Sequence, residues 1–337
     1  MGRRRHRWSR RELLGRAIIA AATALLAWRP RAAAVEPPPE TTTLRLARTR
    51  GLCFAPLHLA EDLLQGEGFS DVRHVMLVGR TADALASNRV DIGIDFIGPL
   101  AIQVDAGAPV LVLGGAHVGC HEVFGSEHVR SLADLRGRTV AVPALGSGQH
   151  VFLATMLTYI GLHPRDDINW VSRPPAEAMR LLAEGNVDAV PTFPPDAQEF
   201  RARRIGRVVV NTATDPPWSR YFCCMVAGNR DFVQQHPIAT KRALRAVLKS
   251  ASVCALEPER AARALIDKGS PLSYELIVQV LKELAYDKWR AYDSEDTVRF
   301  YALHLRQAGF VTRSPQEIIT EGTDWRFLND LKKELKG

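Results

Sequence analysis

From residue 44 onward, short apolar runs alternate with stretches whose apolar positions recur every three or four residues. Runs at 44–48, 72–77, 90–96 and 109–114 predict strands. The segments 56–65, 80–87 and 97–106 between them predict helices, the first opened by an early proline. A similar order returns from residue 131: a short helix, a strand at 139–142, a glycine-rich turn with its helix and a strand at 168–171. The helix PAEAMRLLAEG, the strand and loop VDAVPTF, the helix AQEFRARR and a strand at 208–211 complete this unit. Strands this apolar, each followed by a helix, predict an α/β fold with largely parallel, doubly wound sheets. After a further strand at 221–228 the pattern turns helical, at 230–236, 237–254, 258–267, 274–284, 293–308 and 314–319, with a loop and an exposed helix to finish. So long a helical part after the second unit predicts that the chain returns to complete the first.

The amino-terminal segment does not share this pattern. Arg3, Arg4, Arg5, Arg7, Arg10 and Arg11 precede an apolar run at 17–28, shorter than the roughly 20 residues of a spanning helix. Ala32, Ala33 and Ala34 follow. A basic region, an apolar segment and small residues are the parts of an export signal cleaved after Ala34, and SRRELL at 9–14 matches the twin-arginine pattern. Residues 1–34 are therefore expected to be a twin-arginine signal peptide leading to the periplasm, and 35–43 a proline-rich linker. No cysteine adjoins the cleavage region, which argues against a lipoprotein anchor.

Setting the signal aside changes the charge. The whole chain is +7, with 44 basic and 37 acidic residues; residues 1–34 hold nine arginines and one glutamate, so 35 and 36 remain. No basic field is left to attract nucleic acid or an anionic membrane. The roughly 300 remaining residues exceed what one core usually serves, so two lobes are expected: 44–128 with 222–337, and 129–221. Cys53, Cys120, Cys223, Cys224 and Cys254 are odd in number and follow neither a disulfide framework nor a zinc-site spacing. His117, Cys120 and His121 are metal-ligand types, but neighbours in a strand such as Cys223 and Cys224 face opposite ways. The thiols are thus expected to be structural and buried, with no metal and no cofactor.

The segments FAPLHLAEDLL, ADALASNRVDIGI, AGAPVLVLGG, SLADLRGRTVAVPALGSGQHVFLATMLTYIGLHPRDDINWV and AMRLLAEGNVDAV follow one another in a recognisable order and spacing. Over about residues 44–310 the sequence resembles the periplasmic solute-binding proteins of nitrate/taurine/sulfonate-type ABC importers, relatives of the thiamine-pyrimidine synthases. That resemblance implies a two-lobed periplasmic-binding-protein fold of type II with crossings near 125–131 and 215–222. It also implies a small-molecule ligand in the interlobe cleft, no reaction, and an ABC permease with its ATPase as partners. The chain itself is expected to be a monomer.

The cleft residues follow from the strand-to-helix corners. At Gly146-Ser147-Gly148-Gln149-His150, a hydroxyl and free N–H groups would hold ligand oxygens. The turn lacks the Lys-Ser/Thr of a P-loop, and Leu145 stands where a nucleophile elbow needs glycine. In the first lobe Phe54 would stack on a planar ligand, the N–H groups of Phe54 and Ala55 would meet an oxygen, and Arg50 would pair with a carboxylate. Thr81 is a natural cap and contact, Gly98 leaves room beside it, and His117 offers a polar contact. Opposite stand Arg173 at a helix start and Phe193 at a strand end, with Trp218 and Tyr221 walling the return crossing. Arg50, Arg80 and Arg173 at three corners favour a carboxylate, sulfonate or nitrate-like anion. No paired carboxylates, triad or cofactor fingerprint marks a catalytic residue. The competing expectations are a metal-dependent thiamine-pyrimidine synthase-like enzyme and an exported sensor accessory.

Overall fold

The computed structural model describes residues 36–335, so the expected signal peptide lies outside the described residues. Ten strands build two five-stranded sheets. The first contains β1 (Thr43–Arg48), β2 (Asp71–Met76), β3 (Ile92–Phe96), β4 (Val110–Val118) and β10 (Phe222–Asn229), in the order β2-β1-β3-β10-β4. The second contains β5 (Glu122–Gly125), β6 (Arg138–Val142), β7 (Ile168–Ser172), β8 (Ala189–Thr192) and β9 (Arg207–Asn211), in the order β7-β6-β8-β5-β9. Each sheet is mixed: β10 runs antiparallel to both β3 and β4, and β5 antiparallel to both β8 and β9. The apolar runs VLVLGGAHV and FCCMVAGN are buried along their whole length as β4 and β10, which is why neither alternates with polar residues.

Topology brings one edge of each sheet together. β4 leaves the first sheet at its carboxyl edge and leads directly into β5, which enters the second sheet at that sheet's carboxyl edge. β9 returns from the same edge to the start of β10. The two crossings therefore join carboxyl edge to carboxyl edge, where open α/β sheets receive ligands. They also touch each other: the His121 N–H donates to the Thr212 hydroxyl at 3.0 Å, and the Thr212 N–H to the His121 carbonyl at 3.1 Å. Gly119, with φ +60°, makes this approach possible, since a Cβ there would stand 2.3 Å from the Ala213 Cα.

The first crossing lies at 119–121, ahead of the 125–131 expected from sequence. β4 continues through Gly114 and Gly115 to Val118, and Glu122–Gly125 pairs with β8 and β9 in the second sheet. The long helical part does return to the first sheet. Leu244, Val247, Leu248 and Ala251 of the helix Pro237–Leu256 join the same apolar core as Leu44, Leu46, Ile92 and Ile94. Ser273, Asp293 and Ser314 cap successive helices there with their side chains. Among the described residues no helix is long and apolar enough to cross a membrane.

Candidate functional site

The glycine-rich turn sits between β6 and the helix Gly148–Tyr159. Ser147 is the N-cap, its hydroxyl accepting from the His150 N–H at 3.3 Å. The N–H groups of Gly148 and Gln149 before it are among those a helix leaves unpaired. His150 turns back, its Nδ1 accepting from the Gly146 N–H at 2.9 Å, and its ring meets Trp170 and Phe310 edge-on. Burial pushes His150 down to about 4, so a neutral acceptor is what this hydrogen bond requires. The Gly146 carbonyl accepts from Arg80 at 2.8 Å. The turn thus faces the first lobe across the cleft.

On the first lobe, the corner after β1 uses two of its N–H groups internally. The Phe54 N–H bonds to the Gly51 carbonyl and the Ala55 N–H to the Leu52 carbonyl. Phe54 packs partly buried against the core, while Arg50 is exposed. Arg80, rather than Thr81, is the N-cap residue of the helix Thr81–Ala86; Thr81 is its first residue and is buried. A residue without a signal in the helix pattern organises this corner: Asp95, at the end of β3, accepts from the Ala82 N–H at 2.7 Å and the Phe96 N–H at 2.8 Å. Burial lifts its carboxyl to about 6. The space beside Gly98 is taken, because a Cβ there would lie 2.6 Å from the Phe96 ring and 2.7 Å from Val151.

Between the two edges, aromatic side chains fill the centre. His121 stacks on Phe152 at 4.1 Å and 18°; Phe96 packs edge-on to Phe152, and Phe193 edge-on to His121. Trp218 leans on Phe152 and Tyr159, and Tyr221 stacks on Phe300 at 4.0 Å. Gln149, Arg173, Thr192 and Asp196 line a cavity of about 10 Å³ in the second lobe, room for one water. Two of the three arginines are already engaged: Arg80 with Asp83 at 2.9 Å and Arg173 with Glu177 at 3.2 Å.

Polar contacts hold the lobes together around this centre. Leu52 N–H donates to the Pro194 carbonyl and Arg165 to the Gly309 carbonyl. Arg201 pairs with both Glu122 at the first crossing and Glu283 on the helix Tyr274–Glu283, and Gln198 donates to Glu283 at 2.8 Å. Burial raises the Glu122 carboxyl, and Arg201 opposes that shift.

Beneath the aromatics lies a second group, the thiols expected to be buried core together with His117, which is fully buried among them rather than the cleft contact expected from sequence. Cys53, Cys120, Cys223, Cys224, His117 and His121 are all buried and converge where both crossings meet the first sheet. The expectation that Cys223 and Cys224 face opposite ways fails because β10 shifts register between Phe222 and Cys224 and again before Met225. A bulge re-aims one of two neighbours, so both sulfurs reach the cluster. Interaction with Cys120 and Cys224 holds the Cys53 thiol well below its ordinary range, whereas burial pushes Cys120 and Cys224 up. The Tyr286 hydroxyl donates to the Cys53 carbonyl at 3.3 Å, and its ring stands edge-on to His117.

A family model described as the NMT1-like family matches residues 37–266. A protein of Brucella abortus (strain 2308), provisionally described as a binding protein, is 24% identical over 221 residues, 61% of this chain and 68% of that protein. In fold the chain is similar to the periplasmic nitrate-binding protein NrtA from Synechocystis PCC 6803. The identity there is 17% and the TM-score 0.71, over 89% of this chain and 90% of that one. It is likewise similar to the periplasmic aliphatic sulphonate binding protein SsuA from Escherichia coli, at 19% identity and TM-score 0.65, over 83% and 92% of the two chains. Two mixed α/β sheets joined at their carboxyl edges are thus a periplasmic-binding-protein fold, and the chain belongs to the NMT1-like family.

Proposed function

We propose that the protein captures a small anionic solute between the two carboxyl edges and delivers it, in the periplasm, to the permease and ATPase of an ABC importer. The observation that carries this reading is the amino end of the helix Gly148–Tyr159, directed at the first lobe through the Arg80–Gly146 hydrogen bond. Its first N–H groups and the positive end of its dipole suit a carboxylate, sulfonate or nitrate-like oxygen. Arg80 and Arg173 offer such an oxygen a guanidinium in exchange for Asp83 and Glu177, whose half-exposed ion pairs contribute little to stability. The aromatic wall of Phe193, Phe152 and Trp218 supplies the apolar side of the pocket once the lobes part. Nitrate and aliphatic sulphonates, named for the two similar structures, belong to the same anion class.

The lobes are held by a handful of polar contacts and by aromatic packing of Phe152 on Phe96 and of Trp218 and Tyr159 on Phe300, which opening must undo and closure restore. The Cys223 thiol and His121 Nδ1, 3.1 Å apart, lie buried beneath the aromatics rather than facing the turn and the arginines, and binding without reaction is the fitting activity. The test is a thermal-shift panel of nitrate, small carboxylates, alkanesulfonates and thiamine-type pyrimidines. A ligand at 100 times its Kd adds roughly 2.7 kcal/mol, and the double variant Ser147→Ala/Phe54→Ala should abolish the shift. A panel with no shift, together with stoichiometric iron in the purified protein, would move the assignment to the metal-dependent enzyme class.

A further inference from the structure

Six side chains that solute capture does not use meet at the base of the cleft. Their ligand atoms form two overlapping sets, Cys53/His117/Cys120/Cys224 and Cys120/His121/Cys223, and within each set lie within 4.8 Å of one another. Cys120 Sγ stands 3.0 Å from Cys223 Sγ, and His121 Nδ1 stands 3.1 Å from the same sulfur. Ligand atoms around a tetrahedral zinc ion, with Zn–S of about 2.3 Å, are separated by about 3.8 Å. The first set supplies four such atoms, none more than 4.8 Å from another.

A second observation points the same way. His117 is fully buried, and neither of its ring nitrogens has a hydrogen-bond partner. A buried imidazole with both nitrogens unused is costly in an apolar interior, and four thiols beside it offer only weak donors. Coordination gives one of these nitrogens and the thiols of Cys53, Cys120 and Cys224 a common partner. We propose that Cys53, His117, Cys120 and Cys224 bind one thiophilic closed-shell metal ion, zinc(II) or copper(I). Three cysteines and one histidine form a closed structural zinc set, and thiolates also select copper(I); carboxylate-preferring magnesium, calcium and manganese are excluded by the donor set.

The placement gives the ion a consequence. Cys53 follows β1, His117 ends β4, Cys120 lies on the first crossing, and Cys224 begins β10 just after the second. An ion held by all four pins both crossings to the first sheet. The site stands whether or not the cleft binds an anion, and its test is run without solute.

The full chain, reduced and stripped of metal, is titrated with cobalt(II) as a spectroscopic probe, then with zinc(II) and with copper(I) against a competing chelator. The expected result is one equivalent bound, a thiolate-to-cobalt charge-transfer band with tetrahedral ligand-field bands, and a raised melting temperature. The ion held more tightly in competition identifies which of the two the site prefers. Cys120→Ser should weaken binding by at least the roughly 10–100-fold that loss of an outer partner costs, and Cys254→Ser, outside the cluster, should leave it unchanged. If Cys120→Ser does not fold, His117→Gln carries the comparison. Reduced protein that takes up no equivalent, wild-type affinity in the variant used, or an iron–sulfur absorption in place of a closed-shell ion would overturn the assignment.

Discussion

Arg201 joins a buried carboxylate at the first crossing to a half-exposed one on the carboxyl-terminal helices, and removing it tests how the lobes are held. Its side chain is 28% exposed, that of Glu122 7% and that of Glu283 35%. In Arg201→Leu, Glu283 is solvated and loses little. Glu122 is left buried, and its Oε2 already lacks a partner. Breaking a fully buried pair costs about 3–5 kcal/mol; with a partly exposed arginine, about 2–3 kcal/mol is expected. The cost also depends on pH. Burial raises the Glu122 carboxyl above its unfolded value of 4.5 even with Arg201 in place, and loss of the guanidinium raises it further. The folded variant then binds more protons than the unfolded chain above 4.5, so its stability falls as pH rises through that window and recovers on acidification. Urea midpoints followed by far-ultraviolet circular dichroism at about pH 8 and about pH 5 should show the larger penalty at the higher pH. Glu122→Gln in the same background should recover part of the loss. A penalty below about 0.5 kcal/mol, the size of an ordinary surface change, or one equal at both pH values would refute the reasoning.

Ser147→Ala removes a single N-cap and should cost about 1 kcal/mol by urea unfolding, with no change in fold by circular dichroism. Gly98→Val places carbon against Phe96 and Val151; an overpacking cost of about 1–3 kcal/mol is expected, together with a larger radius of gyration by small-angle scattering because the helix Gly148–Tyr159 can no longer seat. His150 is held down to about 4 from 6.5, so the unfolded chain binds the extra proton between those values and stability is lost as pH falls through them. His58, also pushed to about 4 by burial, acts in the same sense, so His150→Gln should lessen the slope of melting temperature against pH without abolishing it.

Much of the architecture is written in local pattern. Strands buried on both faces carry unbroken apolar runs, and helix starts carry Ser147, Ser273, Asp293 and Ser314, so most strands and helices could be read from the sequence; the four-residue β5, Glu122–Gly125, is too short for such a run and was not among the predicted strands. The misplaced crossing has a local cause: Gly114 and Gly115 look like a strand end, yet the Phe222 ring lies 2.4 Å from where a Cβ of Gly115 would be, and the strand needs that glycine to pair with β10. The engagement of Arg80 by the Gly146 carbonyl joins residues 66 positions apart, and no spacing rule reaches so far. The Cys/His group was hidden for the same reason, its members lying on three separate segments. Only the bulge in β10 turns Cys223 and Cys224 toward one centre, against the alternation that a regular strand imposes.

Solute capture between the carboxyl edges is tested most directly by small-angle scattering of the protein with and without the anion selected from the thermal-shift panel. The radius of gyration should be larger without the solute and, at saturation, the profile should match the closed arrangement held by Arg80–Gly146 and Arg201–Glu283. Gly98→Val should fail to compact. Identical profiles with and without a bound anion would contradict the account.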